Sequence, residues 1–166
     1  MRRITFKGGD NAGQVLYGNI KGPWNNEPDK VEWISRSGLH AFVHRNGGGG
    51  LCGYVAVPQQ HPAYLAHYDD VDVESPHGGI TYADYLKGHH DQNEPECGLF
   101  HSEIKGQAYW VLGFDCMHLH DLYPAEFKNG RRYYEYGNGD RKSTYKNLSY
   151  VMKETELFAD RLAKMK

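Results

Sequence analysis

The chain has little cysteine, no long apolar run and almost no net charge. Its three cysteines, Cys52, Cys97 and Cys116, are odd in number and show no Cys-x-x-Cys spacing. That argues against a disulfide framework and against a structural zinc site, and free thiols in a reducing compartment are expected. No apolar stretch approaches the ~18–20 residues of a membrane span. No apolar segment follows the charged start Met1-Arg2-Arg3-Ile4-Thr5-Phe6-Lys7, so no signal peptide is expected. With 19 basic and 21 acidic residues the net charge is -2. No overall field draws the protein to nucleic acid or to anionic lipid. A complete catalytic signature is also missing.

What is present is aromatic, glycine-rich and histidine-rich. At 166 residues the chain is read as one domain, 1–166, able to bury a core without cross-links. The apolar fraction is modest at 39%, but 13 Tyr, 6 Phe and 3 Trp supply large side chains to bury. The 20 Gly point to many turns and loops, and the 10 His leave metal binding or pH sensitivity open.

Residues 1–22 lack periodicity and are read as an irregular segment, with one short strand at Gln14–Tyr17. Val31–Arg36 and Leu39–Arg45 read as strands; in the second, Leu39, Ala41 and Val43 alternate with His40, Phe42 and His44. Asn46-Gly47-Gly48-Gly49-Gly50 is the strongest turn signal in the chain, and Leu51–Val57 follows it, which predicts an antiparallel hairpin. Pro58–Ser75 reads as loop with a helical turn near Pro62–His67. Gly78–Ala83 is a fourth strand, 84–106 a long excursion, and Gln107–Phe114 a further strand. A stripe of Leu148, Val151, Met152, Thr155, Phe158, Ala159 and Leu162 at helical spacing predicts an amphipathic helix over 144–165, capped by Ser143 or Thr144. The expected fold is α+β: a small antiparallel sheet with long loops and a C-terminal helix across one face.

Chemistry concentrates where the strand ending at Phe114 runs out. Asp115, Cys116, His118, His120 and Asp121 fall within seven residues of one another, and strand ends commonly aim polar groups into a groove. If Tyr109, Val111 and Gly113 share a face, Asp115 joins them, and Cys116 faces the other way as a small buried hydrophobe. Asp115, His118, His120 and Asp121 suit a divalent metal; equally, the carboxylates can cap backbone amides. His77-Gly78-Gly79 lets a ligand approach the backbone and offers amides to an oxyanion. The acidic run Asp69-Asp70-Val71-Asp72 lacks the Gly and distal Glu of a calcium loop. Arg45, at the hairpin end, suits an acidic neighbour or a phosphate. The basic stretch 128–146 interleaves Lys and Arg with Tyr but contains no known nucleic-acid motif.

The chain resembles a group of small phage and prophage proteins. The likeness rests on Gly22-Pro23-Trp24 with Glu27-Pro28-Asp29-Lys30-Val31 and Trp33; on Leu51-Cys52-Gly53-Tyr54-Val55-Ala56-Val57-Pro58; and on His61-Pro62 with Tyr68-Asp69-Asp70-Val71-Asp72. It continues through His77-Gly78-Gly79-Ile80-Thr81-Tyr82, then Trp110 and Gly113-Phe114-Asp115-Cys116 with His118 and Asp121, and ends with Tyr145 and Tyr150-Val151. His120 departs from the pattern, which usually has a small residue there. The resemblance implies a setting in the bacterial host cytoplasm. By analogy with accessory phage proteins it also suggests action against host defence.

Two functions from different classes follow. In the first, the protein binds and sequesters a small anionic, nucleotide-derived ligand. Tyr54, Tyr82 and Trp110 stack a base, and Arg45 and the Gly78 and Gly79 amides hold phosphate. His77, Thr81 and Asp115 complete this binding set by reading polar edges. A homo-oligomer is expected if the pocket lies between subunits. In the second, the protein is a phosphodiesterase-type hydrolase: His77 and His118 act as acid and base, and Asp115 and Asp121 orient them or hold a divalent metal. A protein-binding inhibitor of a host enzyme is a third possibility.

Overall fold

The computed structural model describes residues 3–6, 22–85, 109–128, 131–132 and 143–166. The fold is α+β. Six strands form one antiparallel sheet: β1 (Arg3–Phe6), β2 (Lys30–Ile34), β3 (His40–Arg45), β4 (Leu51–Pro58), β5 (Tyr82–Tyr85) and β6 (Tyr109–Asp115). Their order across the sheet is β1-β2-β3-β4-β6-β5. Short pairings follow in β7 (Asp121–Leu122), β8 (Phe127–Lys128), β9 (Arg131–Arg132) and β10 (Thr144–Tyr145), and the chain ends in helix α1 (Leu148–Leu162).

The β3–β4 hairpin has the register that its alternation demands, with Ala41 opposite Val55, Val43 opposite Gly53 and Arg45 opposite Leu51. Asn46 ties its loop: its side-chain oxygen accepts from the amides of Gly48 (3.0 Å) and Gly50 (3.2 Å). The alternation sorts side chains onto two faces. Val31, Trp33, Ala41, Val43, Leu51, Val55, Leu112 and Phe114 face α1, which buries Val151, Phe158, Ala159 and Leu162 against them. Gly53 lets the helix approach: a Cβ there would lie 2.3 Å from Thr155 Oγ1 and 2.5 Å from the Phe114 ring. The opposite face carries a second cluster of Phe42, Cys52, Tyr54, Ala56, Tyr109 and Val111.

Three local expectations shift. The helix starts later, after Asn147, whose side chain accepts from the Tyr150 amide (2.9 Å). Thr144 and Tyr145, placed in the helix by the sequence pattern, instead pair in parallel with Asp121 and Leu122. The reason is Tyr145, whose hydroxyl accepts from Arg45 Nη1 (3.0 Å) and donates to Glu27, which an early helix would prevent. The fourth strand begins at Tyr82, because Gly78 (φ +69) and Gly79 (φ +101) turn the chain before it. Within the segment read as irregular, Arg3–Phe6 pairs antiparallel with β2. The strand expected at Gln14–Tyr17, most of the excursion at 84–106 and Cys97 lie outside the described residues.

Candidate functional site

Two chain reversals and the helix start meet beyond the end of β6. The amide of Thr81 donates to Gly113 O (2.8 Å), which docks the Gly78-Gly79 turn beside β6. After Asp115 the chain turns through Met117–His120 into β7, and β10 lies alongside β7. This brings Lys146 and Tyr150, at the start of α1, to the same place.

Asp121 sits at the centre, with only 1% of its side chain exposed. Its Oδ2 accepts from His77 Nε2 (2.8 Å) and from the His118 amide (3.0 Å), and Lys146 Nζ lies 3.3 Å from Oδ1. Burial alone would raise its pKa. The hydrogen bonds from His77 and the His118 amide, with the charges of His77 and Lys146, outweigh burial and hold the pKa below the ordinary carboxylate value.

A carboxylate can only accept, so His77 carries hydrogen on Nε2. In the neutral ring, Nδ1 then accepts from the Tyr150 hydroxyl at 3.0 Å. Burial first, then the negative charges of Glu154 and Asp121, raise the Tyr150 pKa, so the phenol keeps its proton to donate. Tyr150, His77 and Asp121 thus form one hydrogen-bonded line from a partly exposed hydroxyl to a buried carboxylate.

His118 stands beside that line, its ring centroid 5.5 Å from that of His77. Its Nε2 donates to the carbonyl of Gly78 (3.2 Å). Its Nδ1 faces Asp115 Oδ1 at 3.3 Å and Asp121 Oδ2 at 3.7 Å. Asp115 is held in turn by Thr81 Oγ1 (2.9 Å) and the Met117 amide (3.0 Å). Gly78 has no room for a side chain: a Cβ would lie 2.0 Å from His118 Nε2. Cys116, buried next to Asp121, has its thiol pushed far up by burial first and by Asp121 second. It therefore stays protonated, as a packed hydrophobe does.

The structure brings His77, Gly78, Thr81, Asp115, His118 and Asp121 together. Tyr82 and Tyr54 lie on the sheet face that Asp115 shares. Tyr82 is opposite Gly113, and Tyr54 stacks on Phe42 (centroids 4.7 Å) and meets Tyr82 edge-on (5.5 Å). Arg45 and Trp110 lie on the other face. Arg45 is buried and donates to Asp29 Oδ1 (2.7 Å), Gly49 O (2.9 Å), the Tyr145 hydroxyl (3.0 Å) and Glu27 Oε2 (3.4 Å). Trp110 Nε1 donates to Ala66 O (2.9 Å). His120 is exposed, and its carbonyl accepts from the Thr144 amide (3.0 Å). Lys146 and Tyr150 are the site residues that the sequence pattern missed. Their signal is long-range, the parallel pairing of β10 with β7, and nothing local announces it. Searches of family models, characterised proteins and solved structures find no match to this chain.

Proposed function

We propose that the protein is a phosphodiesterase-type hydrolase acting on a small nucleotide-derived ligand. The observation that carries this is the approach of two imidazoles, 5.5 Å apart, to one buried carboxylate. Phosphodiester cleavage needs one group to take a proton from the attacking water or hydroxyl and another to return one to the leaving oxygen. His118 is one such group. The other is His77, directly or through the Tyr150 hydroxyl. Lys146 supplies positive charge beside them for phosphoryl oxygens. The turn at Gly79 is open, with nothing within 4 Å of where a Cβ would stand. Tyr54 is buried in the sheet face at 5% exposure and is closed to a ligand, but Tyr82, partly exposed beside it, supports an aromatic base as part of the ligand. The resemblance to phage and prophage proteins supports a role in the bacterial host, against a nucleotide-derived immune signal.

A second reading, sequestration without turnover, is favoured by the same partly exposed Tyr82 beside the Gly78-Gly79 turn. One experiment separates the two. The protein is incubated with a panel of cyclic and ADP-ribose-type nucleotides, released by heat and analysed by mass. A product that forms with the wild type but not with His118→Ala, while the variant still binds, supports the hydrolase. A ligand depleted from solution and recovered intact from both proteins overturns it in favour of sequestration.

A further inference from the structure

We infer that His77, His118 and Asp121 form a binding site for one divalent transition-metal ion, zinc or a close relative. One donor atom from each of the three lies within 4.8 Å of the others. Two imidazoles and one carboxylate are a ligand set of catalytic zinc sites, in which water or substrate takes the fourth position.

The partners of the ring nitrogens give an independent reason. In metal sites a ligating imidazole offers one nitrogen to the ion and anchors the other on the protein. His118 is anchored through Nε2, which donates to the Gly78 carbonyl (3.2 Å). Its Nδ1 therefore turns toward Asp115 Oδ1 (3.3 Å) and Asp121 Oδ2 (3.7 Å). A lone pair facing carboxylate oxygens is repulsive unless positive charge lies between them. His77 is anchored through Nδ1 by the Tyr150 hydroxyl (3.0 Å), and its Nε2 points at Asp121 (2.8 Å). When Nε2 takes the metal, the ring hydrogen sits on Nδ1 and the Tyr150 oxygen accepts it. Asp115, itself fixed by Thr81 and Met117, stands next to the open position. Lys146, 3.3 Å from Asp121 Oδ1, competes for one carboxylate oxygen and leaves Oδ2 to the ion.

The inference rests on the reading of this cluster as the working site; with the ion held by His77 and His118, proton transfer in that reading would fall to Asp115, which stands beside the open position. Its test reads metal directly, so the outcome does not depend on turnover. Chelator-stripped full-length protein is titrated with Co2+ and followed by its visible d–d bands, then with Zn2+ against a chromophoric chelator. About one equivalent is expected, with cobalt bands of a low-coordinate site. His118→Ala and His77→Gln should each remove the bands, and Tyr150→Phe should weaken binding roughly 10–100-fold. His120→Ala, an exposed neighbour, should leave both unchanged. Asp121→Asn is informative only if it folds, which circular dichroism checks; the histidine variants decide the matter regardless. Absence of binding, or binding that persists in His118→Ala and His77→Gln, overturns the site, because a proton then fills the gap or other histidines hold the ion. Loss of nucleotide turnover with metal binding intact would instead overturn the hydrolase reading alone.

Discussion

Replacing Gly78 with alanine should release His118 from its support, and replacing Gly79 should not. Both glycines have positive φ, +69 and +101, so alanine costs about 1–2 kcal/mol of backbone strain at either position. At Gly79 the new methyl meets nothing within 4 Å. At Gly78 it would lie 2.0 Å from His118 Nε2 and 2.3 Å from Cδ2, so the ring must swing away. That breaks the Nε2–H bond to the Gly78 carbonyl and the approach of Nδ1 to Asp115. One such hydrogen bond is worth about 0.5–1.5 kcal/mol. Gly78→Ala should therefore lose about 2–3 kcal/mol in total, which for a chain of this size lowers Tm by roughly 4–12 °C. Stability alone does not separate the variants clearly; the side-chain nitrogen spectrum of histidine does. The wild type and Gly79→Ala should show a His118 Nε2–H held in a hydrogen bond, while Gly78→Ala should show a solvent-averaged ring. An unchanged His118 signal in Gly78→Ala would refute the argument that the Gly78 carbonyl holds the ring.

Three further outcomes are expected. His44 is buried, and burial first, then the charges of Lys30 and Arg45, lower its pKa from 6.5 to about 4. The unfolded chain takes up a proton near 6.5 and the folded one only near 4, so stability is full above 6.5 and falls by about 3 kcal/mol through that window. Denaturant melts between pH ~7 and ~4 should show this fall, and His44→Phe should flatten it; an equal slope in the variant would show that other groups carry it. Arg45→Met leaves the Asp29 and Glu27 carboxylates without their buried counter-charge and should cost about 3–5 kcal/mol; a loss below ~1 kcal/mol would make the pairs no better than surface ones. Gly53→Ala drives a methyl into Thr155 and Phe114 and should cost about 1–3 kcal/mol by overpacking, seen as a lower denaturant midpoint.

The parts of the fold that were legible are those whose information is local. Alternation in His40–Arg45 and Leu51–Pro58, with Asn46-Gly50 between them, specifies a hairpin without reference to the rest of the chain. The stripe of Val151, Thr155, Phe158 and Leu162 does the same for the helix. Arg3–Phe6 carries no such pattern, because an edge strand of four residues takes its conformation from the strand it joins. The helix start was misplaced for a related reason. Ser143 and Thr144 are good caps in isolation, and so is Asn147. The choice falls to Asn147 because Glu27 accepts from both the Tyr145 hydroxyl and the Leu148 amide, which fixes where the last turn of extended chain must stop.

The candidate site divides along the same line. His77, Asp115, His118 and Asp121 announce themselves by type and spacing, but whether His77 reaches His118 depends on how β5 docks on β6, and that pairs residues 25 to 31 positions apart in sequence. Arg45 shows the limit most plainly. From its position at a hairpin end, a phosphate and an acidic neighbour are equally good partners, since a guanidinium fork fits both. What decides is Glu27-Pro28-Asp29, which the β2–β3 register carries past the end of β3: Lys30 lies opposite His44, so Asp29 lies next to Arg45. Once buried there, the arginine commits four of its five N–H donors to Asp29, Gly49, Tyr145 and Glu27. It locks the entry of β2 to the start of α1. That same lock sets where Lys146 and Tyr150 emerge, so a residue first weighed as a phosphate contact shapes the site from the opposite face of the sheet. Arg45→Met should accordingly loosen the His77–Tyr150 contact as well as the fold.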